Sequence, residues 1–152
     1  SGDRIGDHAV IKHALKTVER LKKNKIDIIL LIQPTSPLRK VIKIKKVIKK
    51  IVDEKLDSVW TISKVDLKFH PLKQLIFKKN ILSHYNQKGK DIIARQQLSN
   101  TYYRNGVVYA VTRKLVLKNK NLISDKSSGY LINTPQLSID TAKDLKLANK
   151  LF

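Results

Sequence analysis

The residues best suited to chemistry begin at Gln33-Pro34-Thr35-Ser36-Pro37-Leu38-Arg39, directly after the most apolar stretch of the chain. Two prolines stiffen a loop that carries an amide, two hydroxyls and a guanidinium, which suits a preorganised polar site. In open α/β sheets, ligands bind outside the carboxyl ends of parallel strands, which is where this loop falls. The same segment also reads as an ordinary strand-to-helix turn in which Thr35 or Ser36 caps the next helix. Other chemistry is excluded by composition. Without cysteine there is no disulfide framework, thiolate nucleophile or thiolate-ligated metal. Four scattered histidines with no HxxxH pair do not make a zinc site.

The elements that must position this loop are legible from periodicity. From His8 to Lys23, apolar Val10, Ile11, Ala14, Leu15, Val18 and Leu21 recur at helical spacing, with Asp7 as N-cap. Asp27-Ile28-Ile29-Leu30-Leu31-Ile32-Gln33 reads as a strand buried on both faces, as in parallel sheets covered by helices. Lys40 to Lys55 is a second amphipathic helix. Val41, Ile44, Val47, Ile48, Ile51 and Val52 share its apolar face, and Lys40, Lys43, Lys46, Lys49 and Lys50 lie mostly opposite. Residues 57–63 form another strand, so a right-handed βαβ unit and an α/β class follow. Residues 75–77 and 81–82 fit a hairpin around Lys79-Asn80. Residues 104–112 read as a strand in which Gly106 marks a bulge or close backbone approach. Residues 130–132 are a short strand, and 142–151 a closing helix. Neither a repeat nor a linker divides residues 1–152, which read as a single domain.

Several segments together resemble the acylneuraminate cytidylyltransferases, the CMP-N-acetylneuraminic acid synthetases. Residues 30–39 resemble the family's LLQPTSPLR, and His13-Ala14-Leu15 the HAL of the preceding helix. His70-Pro71-Leu72-Lys73 resembles HPLK. Arg95-Gln96-Gln97-Leu98 with Asn105-Gly106-Val107-Val108-Tyr109 resembles RQQL and NGAIY. Ser138-Ile139-Asp140-Thr141 with Asp144-Leu145 resembles DIDT and DL. The five segments are collinear and cover nearly the whole chain. The resemblance implies a Rossmann-like nucleotidyltransferase fold, three-layered around a mostly parallel sheet. It also implies transfer of CMP from CTP to an acidic nine-carbon sugar such as N-acetylneuraminate, with release of pyrophosphate and with Mg²⁺ as cofactor. Lys73 and Arg95 would receive the acidic sugar. Gln33, Asn105 and Tyr109 would line the same pocket, and Asp140 would hold Mg²⁺. The family further implies a homodimer in the cytoplasm.

Each residue also has a plainer reading. Lys73 is one of 26 lysines, Arg95 could pair with Asp91 on the surface, and Tyr109 on an alternating strand could be core. Asn105-Gly106 could be only a turn, and Asp140 only the N-cap of the last helix. Two departures from the family pattern stand out. Its ARxGSKG phosphate loop and first βαβ unit are missing, so the chain reads as the C-terminal two-thirds of the domain, expected to be inactive alone. The family's first metal-site aspartate falls on Ser138, and Tyr103 stands where many relatives carry arginine, one residue before Arg104. These departures keep open a degenerate, non-catalytic domain of the same fold.

The 152 residues carry 32 Lys+Arg against 12 Asp+Glu, a formal charge of +20. Such a charge can mark a nucleic-acid partner. Here the excess is lysine, with six arginines and two glutamates, whereas nucleic-acid readers rely on arginine forks and stacked aromatics. Lys, Ile and Asn supply about a third of the chain, the skew that an AT-rich coding sequence produces. A basic nucleic-acid-binding module is therefore the third-ranked reading. No apolar run approaches the roughly 18 residues of a membrane span.

Overall fold

The computed structural model describes residues 6–150. Its elements are α1 (Asp7–Lys22), β1 (Ile28–Leu31), α2 (Val41–Asp53), β2 (Ser58–Lys64), β3 (Leu75–Lys78), β4 (Ile81–His84), β5 (Tyr102–Thr112), α3 (Arg113–Lys118), β6 (Ser127–Leu131) and α4 (Ala142–Ala148). Short 3-10 turns occupy Leu67–Phe69, Pro71–Lys73, Gln87–Asp91 and Arg95–Gln97.

The main sheet has the order β1-β5-β2-β6. β6 pairs parallel with β2, and β5 pairs antiparallel with both β1 and β2. Three of the four strands thus share a direction and β5 opposes them. The β1-α2-β2 unit is present, but its two parallel strands are not neighbours, because β5 is inserted between them. The sheet is mixed, of α/β class.

Alternation along each strand explains the layers. Ile28, Leu30, Val59 and Ala110 face one way and pack with Val47 and Ile51 of α2. Ile29, Leu31, Trp60 and Val111 face the other way and pack with Ile11 and Leu15 of α1 and Val116 of α3. β1 is therefore covered on both faces, as its unbroken apolar run requires, though its residues are only half-buried.

Local differences from the sequence reading have physical causes. Asp7 is the first helical residue of α1; the cap is Gly6, with no side-chain cap. On α2, Val47 and Ile51 are buried while Val41 and Val52 are exposed, so the buried stripe is narrower than the apolar one. Its lysines point outward, and Lys49–Asp53 (2.7 Å) and Lys50–Glu54 (2.8 Å) pair along the helix surface. α3 is an element that the periodicity did not reveal: six residues are too few for a pattern. Its signal was Thr112, whose hydroxyl accepts from the Leu115 N–H. Residues 75–84 form the hairpin, turning through Lys79 and Asn80 at φ 51° and 60°. The last helix ends at Ala148, and Leu151 lies outside the described residues.

Candidate functional site

β5 leaves regular pairing at two places, and both border the same cleft. Trp60 pairs with Tyr109, but Ile62 pairs with Arg104, so residues 105–108 bulge opposite Thr61. Gly106 sits in that bulge at φ +75°, the bulge that its position on the strand predicts. The Thr61 hydroxyl replaces the lost ladder bonds. It donates to the Val108 carbonyl (2.9 Å) and accepts from the Val108 N–H (3.0 Å).

On the other edge, β1 stops pairing after Leu31↔Tyr109. If the register continued, Gln33 would stand opposite Val107. Instead the chain turns away at Pro34, and the guanidinium of Arg39 fills the gap. Its Nε donates to the Val107 carbonyl (2.7 Å) and its Nη2 donates to the Gln33 carbonyl. Burial lowers the Arg39 pKa from its ordinary value, yet an arginine remains a cation there. Arg39 was visible in the sequence as part of the QPTSPLR segment, but its role was not, because it depends on where β1 and β5 part.

These two departures open a cleft of about 550 Å³, lined by Gln33, Thr35, Tyr103, Arg104, Asn105, Tyr109, Gln136, Ser138 and Asp140 among others. It lies at the carboxyl end of β1, where the loop was expected to form a site, although β1 pairs here with antiparallel β5. Four candidate residues, Gln33, Asn105, Tyr109 and Asp140, therefore meet from segments far apart in sequence. The 138–140 segment is tied to the loop by the Ile139 N–H, which donates to the Thr35 carbonyl (2.8 Å).

The side chains are held individually. Tyr109 is buried and stacks on Trp60 with ring centroids 4.6 Å apart. Its hydroxyl accepts from the Gly106 N–H (2.8 Å), and burial raises its pKa. Core packing and cleft lining are thus both true of this residue. The Asn105 amide donates to the Ser63 hydroxyl (3.0 Å), and its carbonyl oxygen accepts from the Val107 N–H (3.3 Å). Asp140 is exposed and does not cap α4; Thr141 does. The Thr141 hydroxyl accepts from the Asp144 N–H (3.3 Å), while Asp144 Oδ2 accepts from the N–H groups of Thr141 (2.8 Å) and Asp140 (3.3 Å). Asp144, whose pKa is lowered first by the Thr141 hydroxyl, completes the capping box with Thr141, so the Asp140 carboxylate is not used by the cap.

Lys73 and Arg95 are not among the cleft-lining residues. Both are exposed on 3-10 turns of the segment between β2 and β5. Arg95 contributes to lowering the Asp66 pKa, behind the larger effect of the Lys68 N–H, and no ion pair with Asp91 forms among the described residues. Nor is there a cluster of three or more potential metal-ligating side chains among the described residues. Asp140 is the one carboxylate among the described residues that line the cleft, and Mg²⁺ accepts one carboxylate when phosphate oxygens complete its shell.

No family model matches the chain. Among curated proteins it is similar to a CMP-N,N'-diacetyllegionaminic acid synthase of Legionella pneumophila, 29% identical over 130 residues that cover 83% of this chain and 54% of that protein. The chain thus spans about half the length of this relative. Among solved structures, a CMP:2-keto-3-deoxy-manno-octonic acid synthetase complexed with CTP matches 98% of this chain and 68% of its own, with a TM-score of 0.61 at 12% identity. A protein assigned as a glucose-1-phosphate thymidylyltransferase from Bacillus anthracis matches 99% of this chain and 62% of its own, with a TM-score of 0.54 at 14% identity. The fold is that of the nucleotidyltransferases, and the resemblance carried by the five segments has a curated relative of the CMP-acidic-sugar synthase type behind it.

Proposed function

We propose that the chain forms the sugar-binding and metal-binding part of a cytidylyltransferase that activates an acidic nine-carbon sugar of the N-acetylneuraminate type. The observation that carries the reading is the convergence of Gln33, Asn105, Tyr109 and Asp140 on one cleft at the carboxyl end of β1. In the reaction the anomeric hydroxyl oxygen of the sugar bonds to the α-phosphorus of CTP. The bond from that phosphorus to the bridging oxygen breaks, pyrophosphate leaves with the electron pair, and the hydroxyl proton passes to water. Mg²⁺, when bound, would neutralise charge on the triphosphate and its leaving group.

The chain's own residues would do the positioning. Gln33, held from behind by Arg39, offers a neutral donor and acceptor to sugar hydroxyls. Asn105 fixes the rim of the bulge, and Tyr109 presents a phenol braced by Trp60. Asp140 supplies the carboxylate for the metal. Lys73 and Arg95 belong to the same reading as cations on the neighbouring segment. So do a homodimer, for which the β3–β4 hairpin exposes Phe77, Ile81 and Leu82, and a cytoplasmic setting. Among the described residues no helix is long and apolar enough to cross a membrane.

The test is Mg²⁺-dependent pyrophosphate release from CTP and an acidic sugar, in this chain and in any longer protein containing it. Release that requires Asp140 supports the reading. Silence with sialic, legionaminic, pseudaminic and Kdo-type acids overturns it. The rival reading, a non-catalytic domain of the same fold, is favoured by the serine at 138, which leaves one carboxylate in the cleft. In a longer protein containing the chain, turnover with Ser138→Asp but none with the native serine would decide for that rival.

A further inference from the structure

We propose that the outer face of α2 docks on an anionic lipid surface, with the helix lying in the headgroup layer rather than crossing it. α2 covers the face of the sheet opposite the Trp60–Tyr109 stack, so this surface is separate from the cleft of the proposed function.

α2 turns Val47 and Ile51 inward, to the sheet. On its outer side Val41, Ile42 and Val52 are 66%, 53% and 57% exposed. The sequence sets them among lysines. Val41, Lys45, Lys49 and Val52 follow one another at i, i+4, i+8 and i+11, which is one stripe of a helix with 3.6 residues per turn. Ile42 and Lys46 form the stripe beside it, and all three of these lysines are exposed as well. Aliphatic side chains scattered singly over a surface need no explanation, but three on one helix face, interleaved with lysines, do. The one acid of this face, Asp53, pairs with Lys49 at 2.7 Å. Lys45 and Lys46 therefore leave the face positive.

That mixture selects among occupants. A nucleic-acid backbone would take the lysines but gain nothing from the aliphatics between them, and the face offers neither arginine nor an aromatic ring to a base. A second copy docked through the same patch would bring like charges together across the two-fold axis. The boundary between headgroups and acyl chains suits both kinds of side chain. Lysine stems lie along the apolar layer and carry their ammonium groups out to lipid phosphates, while valine and isoleucine sink beneath them. Because Tyr109 and Trp60 lie on the other face of the sheet, docking through α2 leaves that wall of the cleft uncovered.

The experiment is co-sedimentation of the full chain with vesicles of equal parts phosphatidylglycerol and phosphatidylcholine, and with vesicles of phosphatidylcholine alone, at about 0.15 M salt. The native chain is expected to pellet with the anionic vesicles and to stay in solution with the neutral ones. A lysine at an anionic surface contributes about fivefold in partitioning, so Lys45→Gln together with Lys46→Gln should weaken binding about twenty-five-fold. Ile42→Ser and Val52→Ser should each weaken it about tenfold at unchanged charge. All four side chains are exposed, so the urea midpoint of these variants should stay native, which separates lost docking from lost folding. A native chain that ignores anionic vesicles overturns the proposal, as does binding that K45Q/K46Q and I42S/V52S leave unchanged. Binding that depends on the lysines but not on Ile42 or Val52, with equal retention on double-stranded DNA, overturns it in favour of a general polyanion surface. Self-association of the native chain that I42S abolishes, without vesicle binding, overturns it in favour of a second copy.

Discussion

Replacing Arg39 separates the fold's stability from the shape of the cleft, because this side chain spans the gap where β1 and β5 part. Arg39→Met keeps most of the aliphatic stem and removes both N–H donors, to the Val107 and Gln33 carbonyls. Hydrogen bonds from a charged donor contribute about 1.5–3 kcal/mol each, and the lower end applies to a half-buried guanidinium. The Gln33 carbonyl keeps a second partner, the Ser36 N–H at 3.2 Å, which also argues for the lower figure. The expected loss is therefore about 3 kcal/mol, a sizeable share of the roughly 5–15 kcal/mol that holds a domain together. For a chain of this size that is a fall in Tm of roughly 6–12 °C. Arg39→Lys can satisfy one carbonyl and should lose about half as much. Urea unfolding followed by the fluorescence of Trp60, the chain's one tryptophan, measures both variants. An R39M chain within about 0.5 kcal/mol of native, or an R39K chain that matches it, would refute the reasoning, since the guanidinium would then not be holding the gap.

Gly106→Ala places a Cβ 2.5 Å from Gln33 Oε1 and 2.9 Å from Ser36 Oγ at φ +75°. Strain of about 1–3 kcal/mol and displacement of Gln33 into the cleft are expected, seen as weaker sugar binding as well as a lower denaturation midpoint. Ile51→Ala, at a position 2% exposed beneath the sheet, should cost about 2–4 kcal/mol in urea unfolding without changing ligand preference. Glu19 accepts from Arg113 Nε (2.7 Å) and from the Ile26 N–H (3.0 Å), and these bonds, in that order, hold its carboxyl below the ordinary range. Its stabilising effect is present in full above the unfolded glutamate pKa and is lost as pH falls through the lower folded value. Glu19→Gln should flatten the acid limb of the stability profile in that window, and an unchanged limb would count against the pairing. Thr141→Ala removes the cap of α4 at a cost of about 1 kcal/mol. It should also weaken Mg²⁺-dependent turnover by loosening Asp140, to be read as a higher Mg²⁺ requirement at unchanged sugar affinity.

Much of this protein is written locally and can be read without coordinates. The apolar run at 27–33 calls for a strand covered on both sides, and the 3.6-residue period marks flanking helices over 8–23 and 40–55, each within about two residues of the observed ends. Their buried stripes, Ile11 with Leu15 and Val47 with Ile51, are the two that sandwich the sheet. Gly106 announced a bulge or a close approach, and it serves as both, with φ +75° and Gln33 packed against its Cα. Gln33, Asn105, Tyr109 and Asp140 were legible as a set through the order of their motifs, and the cleft they line brings them together. What tertiary structure alone decided is who stands beside whom once the strands stop pairing. Nothing local says that β5 inserts antiparallel between β1 and β2, because strand order is set by the packing of whole layers. From that insertion follow the gap filled by Arg39 and the hydroxyl of Thr61 across the bulge. The charge of +20 was visible from the first line. That Arg104 is the one Lys or Arg lining the cleft among the described residues, while Lys73 and Arg95 do not line it, is a matter of register.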